Sequence, residues 1–188
     1  TEALAATEIT TYYWEDGWIE HATWTTTNIG KDLKISMDGW NWEPESPSLS
    51  VKYDNVFLSG DIDPITTIGG LVDDFDDGIF DPLWEVGQSG ADVYEADGVL
   101  NIDIFAGSSG PGLNHVAWII TKDFVIHGDF DVQVDFSLNP EYHITPNTNA
   151  KLFLTDQNGN GVELSIRTGT YQSVDVPIDW SQYKIIKS

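Results

Sequence analysis

The chain has 188 residues, of which 31 are acidic and 8 are basic, so its formal net charge is −23. A surface this negative repels nucleic acid and anionic lipid, and we expect neither as a partner. No stretch approaches the roughly 20 apolar residues of a membrane-spanning helix, so we expect no membrane insertion. Because an acidic surface suits saline surroundings and attracts divalent cations, we predict a secreted, extracellular protein that binds calcium.

Short runs rich in Thr, Val, Ile, Tyr, Phe and Trp are separated by Gly, Asn, Asp and Pro, which is typical of all-β proteins. Polar and apolar residues alternate at 31–37, 49–58, 98–105 and 130–136, as expected of strands with one buried face. Residues 151–167 predict a hairpin around the turn DQNGNG at 156–161. These patterns predict an all-β fold.

The chain divides into two strand-rich blocks, residues 1–60 and 71–188, joined by a connector at 61–70. The connector contains Pro64 and the pair Gly69 and Gly70, which interrupt a strand ladder. Neither block is long enough to close a two-sheet sandwich, so we predict that together they form one domain.

Several motifs follow one another in a recognisable order. The second block carries DDFDDG at 73–78, DPLW at 81–84, DGVL at 97–100 and GDFDV at 128–132, whereas the first carries WIEHATW at 18–24 and VKYDNV at 51–56. These motifs resemble those of the concanavalin A-like lectin/glucanase superfamily, in particular its non-catalytic bacterial members. The resemblance implies a two-sheet antiparallel jelly-roll sandwich, with 71–188 as its opening half and 1–60 as its closing half.

The two halves stand in reversed order relative to this superfamily. The sequence YKIIKS at 183–188, followed by TTYYWEDG at 10–17, resembles one uninterrupted hairpin of the family, so we predict that 183–186 and 10–14 are adjacent antiparallel strands. Three explanations stay open. The chain is a circular permutant, it exchanges strands between subunits to form a head-to-tail homo-oligomer or filament, or the order is coincidental in an ordinary sandwich.

Catalysis is not expected. The glucanase branch of the superfamily places two Glu and one Asp on one strand, and retaining glycosidases need a carboxylate pair. The nearest similar segment, NIDIF at 101–105, has Asp103 but carries Asn101 and Phe105 in place of the two Glu. Nucleophile-elbow, metalloprotease and phosphate-loop motifs are also absent from the sequence. We therefore predict a protein without catalytic residues.

The best candidate for a metal site is the first acidic motif. Calcium prefers several carboxylate and carbonyl oxygens, and Asp73, Asp74, Asp76 and Asp77 lie within six residues. The resemblance implies a structural calcium ion where the first and last strands meet, which adds Asp54. The alternative is a solvated acidic loop that binds no metal.

A weaker metal candidate lies in the predicted hairpin turn. Asp156, Asn158 and Asn160 match the first half of an EF-hand loop, but Arg167 stands where the loop requires a bidentate Glu. This mismatch favours a plain turn.

The eight Trp residues supply the remaining signal. Sugars stack their C–H faces on flat aromatic rings, and we expect carbohydrate-binding positions at Trp40 and Trp42, which alternate onto one face of a strand. Trp14 and Trp18 flank a predicted turn and are candidates for the same role. Trp118 lies in an apolar run, which predicts a core position.

Three functions follow from these features. The first is an extracellular structural protein whose sandwich halves interlock between subunits. The second is a secreted, lectin-like carbohydrate-binding module. The third is a glycoside-active enzyme with a site that the motifs do not reveal.

Overall fold

A computed structural model describes residues 7–14, 16–26, 32–41, 48–62, 71–105, 115–140, 148–168 and 178–187. Within these ranges no helix is long and apolar enough to cross a membrane. Thirteen strands form the described part of the chain: β1 (Thr7–Trp14), β2 (Trp18–Thr26), β3 (Lys34–Asn41), β4 (Leu49–Ile62), β5 (Leu71–Asp73), β6 (Trp84–Ser89), β7 (Ala91–Ala96), β8 (Val99–Ile104), β9 (His115–Thr121), β10 (Ile126–Pro140), β11 (Thr148–Thr155), β12 (Gly161–Thr168) and β13 (Ile178–Lys187).

The strands form two antiparallel sheets that pack as a sandwich. The larger sheet has the order β2-β1-β13-β10-β4-β8-β7, and the short β5 pairs beside β8 on the same side of β4. The smaller sheet has the order β12-β11-β3-β9-β6. The predicted all-β, two-sheet antiparallel sandwich is therefore confirmed.

Side-chain alternation builds the core between the sheets. Ile35 and Met37 of β3 are fully buried, and so are Val132 and Val134 of β10 on the facing sheet. The intervening side chains point outward, so each sheet presents one face to the core and one away from it. The predicted hairpin is also confirmed, since β11 and β12 pair on either side of residues 156–160.

Strand boundaries differ slightly from the sequence expectations. The strand predicted at 49–58 continues as β4 through Ile62, two residues into the predicted connector. Residues 63–70 of that connector lie outside the described residues. The segment predicted at 130–136 is the middle of the longer strand β10.

The two blocks of the sequence meet in both sheets. Tyr13 pairs with Tyr183 and Thr10 with Ile186, so β1 and β13 are adjacent antiparallel strands, as predicted from the joined motif. Strand β4 of the first block also lies between β10 and β8 of the second. All these pairs form within one chain, and exchange of the same strands between chains remains a prediction.

One buried hydroxyl connects the two sheets across the core. Tyr53 of β4 is fully buried. Its hydroxyl donates to the carbonyl oxygen of Asp38 at 2.8 Å or of Lys151 at 2.9 Å, and it accepts a hydrogen bond from the Lys151 N–H at 2.8 Å. Asp38 and Lys151 are cross-strand partners on β3 and β11. The phenol thereby satisfies backbone groups of the opposite sheet, and burial raises its pKa well above the ordinary value.

We expect Tyr53→Phe to lower the free energy of unfolding by about 1–3 kcal/mol, because it leaves buried backbone groups of β3 and β11 without a partner. Urea unfolding followed by tryptophan fluorescence measures this change. The matched control is Tyr94→Phe, which removes one exposed hydrogen bond, 2.6 Å long, to Asp103. Equal stabilities for the two variants would contradict the role assigned to the buried hydroxyl.

Candidate functional site

Two tryptophans lie together on the outer face of the larger sheet. Trp14 ends β1 and Trp18 begins β2, and the two are cross-strand partners. Their rings meet edge to face, with centroids 5.4 Å apart, and Trp14 is 42% exposed. The left-handed conformation of Asp16, with φ 56°, helps the chain turn between them. The predicted pair thus forms one aromatic corner.

Polar side chains continue from this corner across the sheet. Gln182 of β13 precedes Tyr183, the cross-strand partner of Tyr13, and therefore lies beside Trp14. Its side-chain amide donates a 2.7 Å hydrogen bond to the Asp135 carboxylate of β10. Asp135 also accepts a 3.0 Å hydrogen bond from Asn55 and lies opposite Asp54 of β4. Because neighbouring strands are about 4.8 Å apart, this row extends about 14 Å from Trp14 to Asp54.

A basic side chain completes the same face. The Lys184 ammonium lies 5.2 Å from the centre of the Trp18 ring and 3.0 Å from a carboxylate oxygen of Asp131. The cation therefore binds both an aromatic face and a carboxylate, which fixes its position. We call the group formed by Trp14, Trp18, Lys184, Gln182 and Asp135 the Trp14 surface.

Carboxylates gather at the far end of this row. Asp54 is brought close to Asp74 and Asp76, as predicted. Burial raises the pKa of Asp54, and the negative charges of Asp135, Asp74 and Asp76 raise it further. The pKa of exposed Asp76 is raised by the charge of Asp74 and by a side-chain hydrogen bond with it. These carboxylates repel one another when ionised.

The other two predicted ligands also contact the protein itself. Asp73 accepts hydrogen bonds from the Phe75 N–H at 2.9 Å and from the Trp84 indole N–H at 2.7 Å. Asp77 accepts one from the Ile79 N–H, also at 2.9 Å. These contacts hold the loop between β5 and β6 in shape. Both carboxylates lie near the cluster, since the charge of Asp74 raises the pKa of Asp73 and the charge of Asp77 raises that of Asp76. Both also raise the pKa of a neighbouring glutamate.

That glutamate, Glu95 of β7, was not found by sequence reasoning. Both of its carboxylate oxygens are shielded from solvent, and the group lies beside the Ile79 N–H and the Asp77 carboxyl. Burial, with the charges of Asp73 and Asp77, raises its pKa to about 7. The only feature of the sequence that could have identified Glu95 is that an acidic residue occupies an inward-facing position of a strand. Glu95 therefore adds a carboxyl group whose ionisation is disfavoured beside the predicted metal ligands.

A cation fits this cluster electrostatically. It would neutralise the carboxylates of Asp54, Asp74 and Asp76 and lower the cost of ionising Glu95. Among the described residues, however, no group of three or more acidic or histidine side chains converges closely enough to hold a metal ion in the present geometry. Calcium at this end of the sheet remains a prediction.

The weaker metal candidate forms a compact turn. Asp156 is buried, and its carboxylate accepts hydrogen bonds from the backbone N–H groups of Asn158 and Asn160, at 2.8 and 2.9 Å. The Asn160 side chain donates to the same carboxylate at 3.2 Å. This geometry agrees with the plain-turn alternative, in which the side chains stabilise the turn itself.

The remaining tryptophans occupy different places. Trp40 is partly buried and lies on the outer face of the smaller sheet, on the other side of the sandwich from the Trp14 surface. Trp42 lies outside the described residues. Trp118 is not in the core, so that prediction was wrong. It points to the outer face, while its neighbours Ala117 and Ile119 point inward and are fully buried. Because apolar residues occupy both faces of β9, its sequence shows no alternation that distinguishes the inner face from the outer one.

The segment that resembles a glucanase catalytic strand lies in β8. The buried amide of Asn101 donates to the carbonyl oxygens of Ala96 and Val99, at 3.2 and 3.1 Å. Asp103 accepts the Tyr94 hydroxyl. The cross-strand partner of Asp103 is Asp92 of β7, so the two carboxylates here come from two strands and do not reproduce the Glu pair of the glucanase pattern.

Comparison with known proteins finds no match: no family model, curated protein or solved structure is significantly similar to this chain.

We expect calcium to raise the melting temperature by roughly 5–10 °C when it is present at about 100 times its dissociation constant. Asp76→Asn should melt at or above the wild-type temperature in excess chelator, because repulsion is relieved, and below it in calcium, because a ligand is lost. Differential scanning calorimetry with and without calcium measures both shifts.

The matched control is Asp123→Asn, which removes an exposed carboxylate from a turn outside the cluster. It should follow the wild type in both buffers. A solvated loop without metal predicts instead that Asp76→Asn is stabilised to the same extent in both, with no calcium effect on the wild type.

Proposed function

We propose that this protein is a non-catalytic, extracellular carbohydrate-binding module that holds a neutral glycan on the Trp14 surface. The observation that carries the proposal is the edge-to-face pair of Trp14 and Trp18 beside Lys184 on the same sheet face. Rings offer a platform for the C–H face of a sugar, while polar groups beside them orient its hydroxyls.

The polar row supports an extended ligand. Gln182 and Asp135 continue from the aromatic corner toward Asp54, a span of about 14 Å that suits a short oligosaccharide better than a single sugar. The net charge of −23 disfavours anionic glycans. A neutral chain lying across the strands therefore agrees best with the chemistry of this face.

The fold and the motif order support membership of the concanavalin A-like type. The opening motif at 73–78 lies beside the final-strand motif at 51–56, because Asp73 of β5 pairs with Val56 of β4. The superfamily is expected to place its first and last strands together in this way. We propose on this basis that the chain is a jelly-roll sandwich with permuted halves and a structural calcium ion where these motifs meet.

A binding role without catalysis agrees with the contacts of β8. Asp103 is held by the Tyr94 hydroxyl, and the two flanking outward positions carry Asn101 and Phe105. The glucanase pattern supplies its two catalytic carboxylic groups as Glu residues of one strand, and β8 carries neither of them, although Asp92 of β7 lies opposite Asp103.

We expect Trp14→Ala and Trp18→Ala each to weaken glycan binding about 3- to 10-fold, because each removes part of the stacking platform. Isothermal titration with cellohexaose, laminarihexaose, xylohexaose and mannohexaose measures the affinity. Trp24→Ala is the matched control, since Trp24 is also 42% exposed and also lies on β2, but points to the opposite face. Loss of affinity in the control alone would contradict the proposal.

Interlocking assembly is the second candidate. The observation that favours it is the ladder between β1 and β13, which joins the two ends of the described chain without a covalent link. The same ladder could form between neighbouring subunits. Such contacts are head-to-tail and produce rings or filaments.

Light scattering coupled to size exclusion separates the two candidates. A monomer of the mass of one chain, 20.9 kDa, at all concentrations supports the permuted single-chain sandwich. Rings or fibres that persist on dilution would show that the strands exchange and would place assembly first. Saline buffer is required, because a charge of −23 suppresses association at low ionic strength.

A further inference from the structure

The outer face of the smaller sheet carries a tryptophan that lies on the backbone of the edge strand. Trp118 of β9 is the cross-strand partner of Gly87 of β6. A Cβ atom at Gly87 would lie 2.1 Å from Cζ2 and 2.3 Å from Cε2 of the indole. The six-membered ring therefore covers Gly87, and only glycine leaves room for it. The partly exposed ring thus presents its outward side to solvent.

A carboxylate follows directly beside this ring. Asp38 of β3 is the next residue across the sheet from Trp118. Its Oδ1 atom accepts a hydrogen bond from the Ser36 hydroxyl, and none of the described residues donates to Oδ2. Burial raises the pKa of Asp38 to about 6, while the hydrogen bond from Ser36 and the charge of Lys151 oppose this shift.

A fixed cation completes the row. Lys151 of β11 is the cross-strand partner of Asp38. Its ammonium lies 3.0 Å from a carboxylate oxygen of Glu163 and 5.0 Å from the centre of the Trp40 ring. Two strand spacings, about 10 Å, thus separate a stacking ring from a hydrogen-bond donor, with an acceptor between them.

These groups favour a saccharide over other ligands. The backbone of a paired sheet is hydrogen-bonded in its own plane, so the face offers no ladder for a peptide strand. The charge of −23 repels nucleic acids and other polyanions. A flat ring beside a carboxylate and an ammonium matches a neutral sugar, which has an apolar face and hydroxyls that donate and accept.

We propose that Trp118, Asp38, Lys151 and Trp40 form a second binding surface for neutral saccharides, the Trp118 surface, and that the protein cross-links glycan chains. The two surfaces lie on the outer faces of opposite sheets, so that one ligand cannot occupy both. Saccharide binding by the Trp118 surface stands on its own observations. Cross-linking also rests on the proposed function of the Trp14 surface.

The experiment counts binding sites by isothermal titration with the same four hexasaccharides. We expect two sites per chain in the wild type. Gly87→Val should remove the second site or weaken it roughly tenfold or more, because a side chain at this position displaces the indole. Ser89→Val, on the outer face of the same strand, is the matched control and should keep both sites. If Gly87→Val does not fold, Trp118→Leu and Asp38→Asn test the same surface.

The outcomes separate the two proposals. One site that is lost only in the Trp14→Ala, Trp18→Ala double variant overturns the Trp118 surface and leaves the proposed function standing. One site that is lost only in Gly87→Val or Trp118→Leu overturns the Trp14 surface and supports the second. Absence of binding in the wild type overturns both.

Agglutination of polysaccharide-coated beads tests cross-linking directly. The wild type should agglutinate beads coated with the polysaccharide of the hexasaccharide that it binds, and each single-surface variant should bind the beads without agglutinating them. Agglutination that survives loss of either surface would contradict cross-linking by these two faces.

Discussion

The larger sheet depends on a ladder between the two ends of the described chain. In its strand order, the hairpin β1–β2 joins the remaining strands through the β1–β13 pair. Tyr13 opposite Tyr183 sets the register, and a slip by one residue would turn Trp14 away from the outer face. The aromatic corner and the polar row at Gln182 are therefore one surface only while this ladder holds.

Charge is the second constraint on this molecule. With 8 basic residues against 31 acidic ones, few carboxylates can be paired with a cation. Two of the lysines each contact both an aromatic ring and a carboxylate. Lys184 contacts Trp18 and Asp131 on the larger sheet, and Lys151 contacts Trp40 and Glu163 on the smaller one. Each outer face thus combines an aromatic ring, a cation and a carboxylate, which is why both are proposed as saccharide surfaces.

The acidic end of the larger sheet has the opposite character. Asp54, Asp76 and Glu95 all have raised pKa values, and none has a basic partner among the interactions that shift them. Such a cluster disfavours the folded state at neutral pH unless a cation neutralises it. The proposed calcium ion would therefore stabilise the loop between β5 and β6 and link metal content to the integrity of the nearby polar row.

Sequence alone was sufficient for what depends on local chemistry. Alternation of polar and apolar residues located strands such as β8, and the Asn- and Gly-rich turn located the β11–β12 hairpin. The pairing of 10–14 with 183–186 was predicted from the resemblance to a known superfamily and not from local chemistry. Placement across the sandwich was decided by tertiary structure. Trp118 could be assigned to the surface only once β9 lay beside Gly87, because both faces of its strand are apolar. Glu95 likewise became significant only when the β5–β6 loop brought Asp73 and Asp77 to it. The physical reason is that periodicity fixes which residues share a face, whereas only packing between distant strands fixes what that face meets.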